Sequence, residues 1–384
     1  MVGASLARAL AGTAIAFVAP RPPSPGRVTD GFDSRIYALS PGNAAFLARL
    51  GAWSALPSER LTPVHAMRVY GDDGESAIEF DAYRSGASEL AWIVEDRLVQ
   101  GALWRGLDSQ AGLTRFEDSA LERLEVGSAR ASLALADGRG IDARLVVGAD
   151  GARSLVRAQA GIASRDRPYD QAAIVANFAC SRAHRNVAWQ WFQGPDRSAA
   201  AGGGAVLALL PLPGDHVSMV WSVGEAEARR LLEMDAATLC RELAVASRGA
   251  LGEFALVTPQ RSFALQRLSA ERLAAPRVAL AGDAAHVIHP LAGQGANLGL
   301  QDARALSKVL LEREPGRDPG DLRLLRRYER ARAEDILAMR ATVHGLYRLF
   351  GAPGAGIARL RNTGLKLADR LPVLKNALMR HAMG

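Results

Sequence analysis

One stretch constrains this chain more than any other: VALAGDAAHVIHPLAGQGANLGLQDA, from Val278 to Ala303. The run from Arg277 to Ala281 reads as a short buried strand that stops on Gly282 and Asp283. Pro290 then breaks any local helix, and Gly293, Gln294, Gly295, Ala296 and Asn297 lead into one. In open α/β sheets ligands gather where strands end and helices begin. An acid such as Asp283 can there accept hydrogen bonds from a sugar or polyol. The unpaired N–H groups of the helix start carry partial positive charge and stabilise an anion, or a ring that becomes anionic on reduction. A flavin is such a ring. His286 and His289 are three apart, but Pro290 spoils a helical pair and nothing completes a ligand set, so no metal site is expected. His289 and Pro290 are candidates to touch the ring or the substrate.

Two further glycine turns follow the same logic. MVGASLA opens a helix expected from Gly3 to about Gly12, and AIAFVA follows as a strand. Together they read as the second half of a β-α-β unit, with Gly3 as the tail of a G-x-G-x-x-G turn. Arg8 within this apolar stretch speaks against a secretory leader. The segment LVVGADGARSLVR delivers Asp150 and Gly151 at a strand end, where glycine admits close approach of a ligand or a positive φ. An ordinary strand-to-helix corner would look the same.

Elsewhere the pattern changes. SPGNAAFLARLGAW reads as a helix capped by Ser40, and VEDRLVQGALWRGL as another. HAMRVYGDDG and SAIEFDAY read as strands around Asp73-Gly74. From about 170 to 272 the chain alternates like half-buried strands, interrupted by a helix from Ala226 to Ala246. From Leu300 onward it reads as helical, broken at Glu314 to Gly320. Cys180 and Cys240 fit no ligand spacing and suggest a reducing, cytoplasmic setting. The net charge of +7 suits an anionic partner such as a membrane surface or nucleic acid, and equally a solvated arginine-rich surface.

The quoted stretches resemble the FAD-dependent aromatic hydroxylases of ubiquinone biosynthesis, within the para-hydroxybenzoate hydroxylase-like flavoproteins. The form HPLAGQGANLGLQD carries most of the resemblance. DSRIYALSPGNAAFLARLGAW, VVGADGARSLVR, YERARAEDI and the tail LRNTGLKLADRLPVLKNALMRHAMG extend it over nearly the whole chain. The resemblance implies an α/β fold with a discontinuous, Rossmann-like FAD-binding domain over 1–61, 91–165 and 274–312. It implies a mixed or antiparallel β-sheet substrate domain inserted over 62–90 and 166–273, and a C-terminal helical region over 313–384. A strand and two more glycines are expected ahead of Met1, and the acid expected on the adenosine ribose falls near Ala19.

Residue by residue, the resemblance implies that Asp283, with Gly282, holds the ribityl chain. Gly293, Gln294, Gly295, Ala296 and Asn297 would surround the pyrimidine edge, and Pro290 would lie against the ring. Arg35 and Arg97 would sit near the ribityl and pyrophosphate groups, with Gly3, Asp150 and Gly151 as nucleotide turns. The implied chemistry is reduction of FAD by NAD(P)H or a separate reductase, capture of O2 as a flavin hydroperoxide, and oxygen transfer to a prenylated phenol. The cofactor then carries the hard step, which agrees with the lack of an obvious triad or carboxylate pair. Trp189, Trp191, Leu207, Leu209, Val220 and Trp221 offer apolar faces, either for a prenyl tail or as ordinary core. Arg359 to Arg380 reads as a basic amphipathic helix suited to the inner membrane face, to a partner in a quinone-synthesis complex, or to packing on the flavin domain. Two other readings remain: a weakly FAD-binding assembly partner, or a hydroxylase of another aromatic compound.

Overall fold

The computed structural model describes residues 1–19, 23, 31–73, 75–194, 204–288 and 294–351. His289, Pro290, Gly293 and the basic segment 359–380 lie outside the described residues, as does the side chain of Gln294. The chain opens with α1 (Val2–Ala9), β1 (Ile15–Ala19), β2 (Ile36–Leu39) and α2 (Pro41–Arg49). Next come β3 (Thr62–Val64), β4 (Ala66–Tyr70), β5 (Ala77–Asp81), β6 (Ala91–Glu95) and α3 (Asp96–Asp108). β7 (Leu113–Glu117), β8 (Leu121–Val126), β9 (Ala131–Leu135), β10 (Gly140–Ala143), β11 (Val146–Gly148) and α4 (Leu155–Gln159) follow. The middle of the chain supplies β12 (Ser164–Cys180), β13 (Val187–Phe192), β14 (Val206–Leu212) and β15 (His216–Gly224). It continues through α5 (Glu225–Glu233), α6 (Ala236–Ala246), β16 (Phe254–Leu256) and β17 (Arg261–Ala270). The last elements are β18 (Ala274–Ala275), β19 (Val278–Leu280), β20 (His286–Val287), α7 (Gln294–Leu311) and α8 (Leu322–Gly351).

Parallel pairing, the mark of a nucleotide-binding layer, occurs between β1 and β7 and between β11 and β19. Three helices gather over these strands. α1 packs on α7 and α3, and Leu6, Leu103, Leu107, Leu280, Leu306 and Leu325 meet in one core. The approach of α1 to α7 is close. A Cβ on Gly299 would lie 2.7 Å from the Val2 side chain, so only glycine fits there. Ser40 caps α2 by accepting from the Asn43 N–H, and Pro41 opens that helix, as its sequence predicts.

The second layer is a nine-stranded sheet in the order β20-β17-β12-β15-β14-β13-β4-β5, with β16 added beside β12. All its pairings are antiparallel except that of β13 with β4. On one face Ile174, Phe178, Leu207, Leu209, Met219 and Trp221 pack beneath α5 and α6 through Leu231, Leu239 and Leu243. On the other, Ala188 and Leu212 meet Val64 and Ile93 of the small β2-β6-β3 sheet, which joins the two layers.

Several expectations shift. The helix expected over Ala226 to Ala246 is two helices, because Asp235 caps a new start by accepting from the Thr238 N–H at 2.7 Å. Val94 and Glu95 finish a strand, and the helix expected to include them begins at Asp96. α1 ends at Ala9, short of Gly12, and the last glycine-led helix starts at Gln294. Thr62–Val64, grouped by sequence with the substrate sheet, pairs with β6 in the small sheet. Trp191, Leu207, Leu209 and Trp221 belong to the core under α5 and α6, not to a surface open to a prenyl tail.

Candidate active site

The turn after β19 is the centre of the site. Gly282 has φ +62, which favours glycine, and a Cβ there would press on Val2 at 3.1 Å. Its N–H donates to Asp302 Oδ2 at 2.9 Å. Asp302, completely buried on α7, also takes a 2.6 Å contact from His286 Nε2 and a 2.8 Å bond from Arg332 Nε of α8. Arg332 continues to Gln301 and Asp335. Tyr328, one turn earlier on α8, donates to the Leu280 carbonyl at 2.8 Å. A buried ion cluster therefore ties α7, α8 and the end of β19 together behind the turn. Burial alone would raise the Asp302 carboxyl, but His286 and Arg332 hold it below its ordinary range.

In front of the turn stands Asp283. Its side chain is exposed, yet the surrounding protein desolvates it enough to push its carboxyl up against the opposing pull of His286 and Arg35. Arg35 reaches the same space from the start of β2. Its guanidinium lies 3.8 Å from Asp96 Oδ2 and 5.3 Å over the Phe263 ring, and about half of its side chain is exposed. The first residues of α1 lie beside Asp96 and Asp283. Tyr37 bonds Asp96, and burial together with that carboxylate keeps its hydroxyl neutral well beyond the ordinary range. Arg35, Asp283 and the start of α1 thus lie within electrostatic reach of one another.

The loop carrying Arg35 is held by a second polar web. Glu95, 1% exposed, accepts from the Asp33 N–H at 2.7 Å and from Arg60 Nε at 2.7 Å. Asp33 accepts from the backbone of Arg35 and Arg97. Asn177 of β12 donates to the Asp33 carbonyl at 2.8 Å. The Arg97 guanidinium is engaged by the Gly31 carbonyl and by Glu95 Oε2, so it supports this loop.

The other expected residues divide. Gly151 has φ +83 with open space where a Cβ would be, and Gly295 is open as well. Asp150 accepts from the Val156 N–H at 3.2 Å, serving the start of α4. Arg157 bridges the two glycine turns, donating to the carbonyls of Ala284 and Ala152 at 2.8 Å each. A Cβ on Gly3 would meet Ala149 at 3.5 Å and Phe17 at 3.6 Å, which are ordinary contact distances, so packing alone does not require glycine there. Asn297 is buried and its amide is taken up by protein. Oδ1 accepts from the Ser40 N–H at 2.8 Å and from Asn43 at 2.9 Å, and Nδ2 donates to the Ala38 carbonyl at 2.8 Å. It clamps the start of α7 to the start of α2, and its backbone carbonyl joins the clamp by accepting from Asn43 Nδ2 at 3.1 Å. Arg60, Glu95, Arg157, Asp302 and Arg332 escape a sequence reading, because each finds its partners tens of residues away. Among the described residues no group of three His, Cys, Asp or Glu side chains is arranged to hold a metal.

Comparison with known proteins fits this geometry. The FAD binding domain family matches residues 94–341. The ubiquinone hydroxylase UbiL of Rhodospirillum rubrum is 35% identical over the whole chain, covering 87% of that protein. The 3-demethoxyubiquinol 3-hydroxylase of Escherichia coli is 34% identical, covering the whole chain and 96% of that protein. The chain belongs to the FAD-dependent hydroxylases of ubiquinone biosynthesis. Human COQ6, a ubiquinone biosynthesis monooxygenase of mitochondria, is 30% identical over 93% of this chain and 83% of its own length. Among solved structures, Pseudomonas aeruginosa PqsL superposes with TM-score 0.72 at 24% identity, covering 95% of this chain and 96% of PqsL. Klebsiella pneumoniae HpxO in complex with FAD and uric acid gives 0.71 at 18%, covering all of this chain and 94% of HpxO. Both confirm the fold.

FAD is the cofactor of this family, and the residues present fit it. An exposed carboxylate at a strand end suits ribityl hydroxyls, and an arginine beside a helix start suits phosphates. A Cβ on Gly295 would meet nothing within 4 Å, and the first-turn N–H groups of α7 have no partner within the helix itself.

Proposed function

We propose that this protein hydroxylates the aromatic ring of a prenylated phenol on the way to ubiquinone, using FAD, O2 and electrons from NAD(P)H or a separate reductase. The observation that carries the reading is the convergence of Asp283, Arg35 and the starts of α1 and α7 on one turn, in a chain aligned over its whole length with ubiquinone hydroxylases. Bound FAD supplies the oxygen-transfer chemistry. Asp283 would bind and orient the ribityl chain. Arg35 would neutralise phosphate, and the first-turn amides of α7 would stabilise negative charge on the ring edge. Gly293 and Gln294, together with Pro290 and His289, would complete the wall along the ring. Asp150 and Gly151 would border the nucleotide. Segments 1–61, 91–165 and 274–312 would form the flavin domain, with 62–90 and 166–273 as the substrate domain.

The sheet face opposite α5 and α6 supports a substrate chamber over the flavin. Register puts Val175, Val220, Ala208 and Gln190 in one row across it, and Asn177 and Ser218 in the next. Such a face sets apolar groups beside convergent polar ones, the combination by which small-molecule sites fix orientation. A sheet wall also excludes water from the reacting ring. The prenyl tail of the substrate resides in lipid, which calls for contact with a membrane surface and suits a multi-protein quinone-synthesis complex. Among the described residues no helix is long and apolar enough to cross a membrane.

The test is reconstitution with FAD, followed by turnover of a short-chain prenylated phenol with a reductant under ¹⁸O₂. The expected result is a yellow protein and a product carrying one labelled oxygen. A protein that stays colourless in excess FAD would overturn the reading in favour of an assembly partner. Labelled peroxide without labelled product would overturn the choice of substrate.

A further inference from the structure

β12 enters the large sheet through a short arm. Ser164 to Pro168 pairs with Gln266 to Ala270 of β17 before the register shifts between Pro168 and Ala172. In this arm Arg167 lies directly opposite Arg267, and Arg165 lies opposite Ser269. Residues two apart on a strand share a face, as do register partners, so Arg165, Arg167 and Arg267 project from one side. Like charges placed directly opposite one another are destabilising. α8 adds a fourth. The Arg340 guanidinium is half-buried and within electrostatic reach of Arg267 and Arg165, and burial and those two charges lower its pKa.

Among the described residues none of the four has a carboxylate within 4.0 Å. Asp166 projects from the opposite face of the same strand, and Asp170 sits in the irregular stretch at φ +54. One turn before Arg340 on α8, Leu337 is 67% exposed. Arg165 and Arg167 are exposed as well, and Arg267 is half-buried like Arg340, so the cluster reaches the surface. Guanidinium forks match phosphate oxygens, and several spread over two strands and a helix suit many phosphates in a plane better than one small ion.

We propose that Arg165, Arg167, Arg267 and Arg340, with Leu337 beside them, form a docking face for the phosphates of anionic lipid headgroups. The inference deepens the reading of a prenylated substrate drawn from a membrane and rests on it. Phosphate of the headgroups neutralises the four cations, and Leu337 enters the headgroup layer. Four arginines over one patch also explain where part of the +7 charge is used.

The test uses the full-length, FAD-loaded protein and sedimentation with vesicles. Wild type is expected to bind phosphatidylglycerol-containing vesicles, to ignore pure phosphatidylcholine, and to be released at high salt. The variant Arg165→Gln, Arg267→Gln, Arg340→Gln should bind anionic vesicles on the order of a hundredfold more weakly, about fivefold per arginine. Leu337→Gln should weaken binding severalfold at unchanged salt dependence. Flavin absorbance and turnover of a water-soluble short-chain phenol should be the same in all variants, which shows that the fold and the catalytic reading stand apart from the patch. Wild-type binding by the triple variant, or no preference of wild type for anionic vesicles, would overturn the proposal. Release by millimolar inorganic phosphate at constant ionic strength would overturn it in favour of a free phosphate ligand. A wild type that binds anionic vesicles but fails to turn over the phenol would sink the enzymatic reading and leave the docking face standing.

Discussion

Between β12 and β15 register pairs run unbroken from Gln171–Gly224 to Ala179–His216, and beneath them Phe178, Ile174 and Met219 are all but inaccessible. Behind the Gly282 turn the corresponding work falls to Asp302, His286 and Arg332, three ionisable side chains with almost no exposure. The sheet is a scaffold held by area, and area tolerates exchange of one hydrophobe for another. The turn is held by partner identity. A buried ion cluster adds little net stability over apolar packing, but breaking it is costly, because the remaining charges are stranded. That arrangement suits a site: the turn must keep one conformation to present Asp283, and several kcal/mol stand against leaving it.

The sharpest way to break this contrast is a pair of substitutions of similar cost. Phe178→Ala in the sheet and Asp302→Asn behind the turn should each lose about 3–5 kcal/mol in chemical denaturation. Only Asp302→Asn should also weaken FAD binding, measured by flavin fluorescence on the folded protein. Equal FAD affinity in the two variants would show that the ion cluster does not position the turn. Next in size is Asp283→Ala, expected to weaken FAD by about 1.5–3 kcal/mol through lost hydrogen bonds to a charged acceptor.

Acid separates the two carboxylates by sign. Asp302 has a folded pKa below its unfolded value of 3.8, so its contribution is complete above that value and fades as pH falls through the folded one. Asp302→Asn should flatten that acid limb of the stability curve. Asp283 is raised, so its ionised form opposes folding above the folded pKa, and the strain is relieved as pH falls. Asp283→Asn should therefore leave the apoprotein at least as stable at neutral pH while binding FAD less well. A loss of apoprotein stability would assign Asp283 to the framework. The smallest effect is expected for Tyr328→Phe, about 1 kcal/mol for one buried hydrogen bond, with FAD affinity unchanged.

The same contrast governs what was legible in the sequence. The strand ending at Gly282-Asp283, the glycine-led helix and the alternating strands from β12 to β15 could be read locally, because period and turn chemistry are local signals. The pairing of Arg332 with Asp302 and of Arg60 with Glu95 could not, since a charge shows no preference for one distant partner until the fold presents it. Asn297 illustrates the boundary. Its place in a glycine-rich helix start suggests a ligand, yet Ser40 and Asn43 claim its amide from more than 250 residues away. The break at Met234–Asp235 was visible in principle, since aspartate three residues before an N–H is a capping signal, but the apolar period runs through it.

At about 3.3 Å per residue, the seventeen residues of β12 make a rod roughly 55 Å long. Its far half grips the Asp33 carbonyl through Asn177, and its near end carries Arg165. Only one joint interrupts it, at the register slip where Asp170 holds a left-handed backbone. That joint lies between the two ends, so a displacement of the near end would be taken up at Asp170 before it reached the loop that aims Arg35.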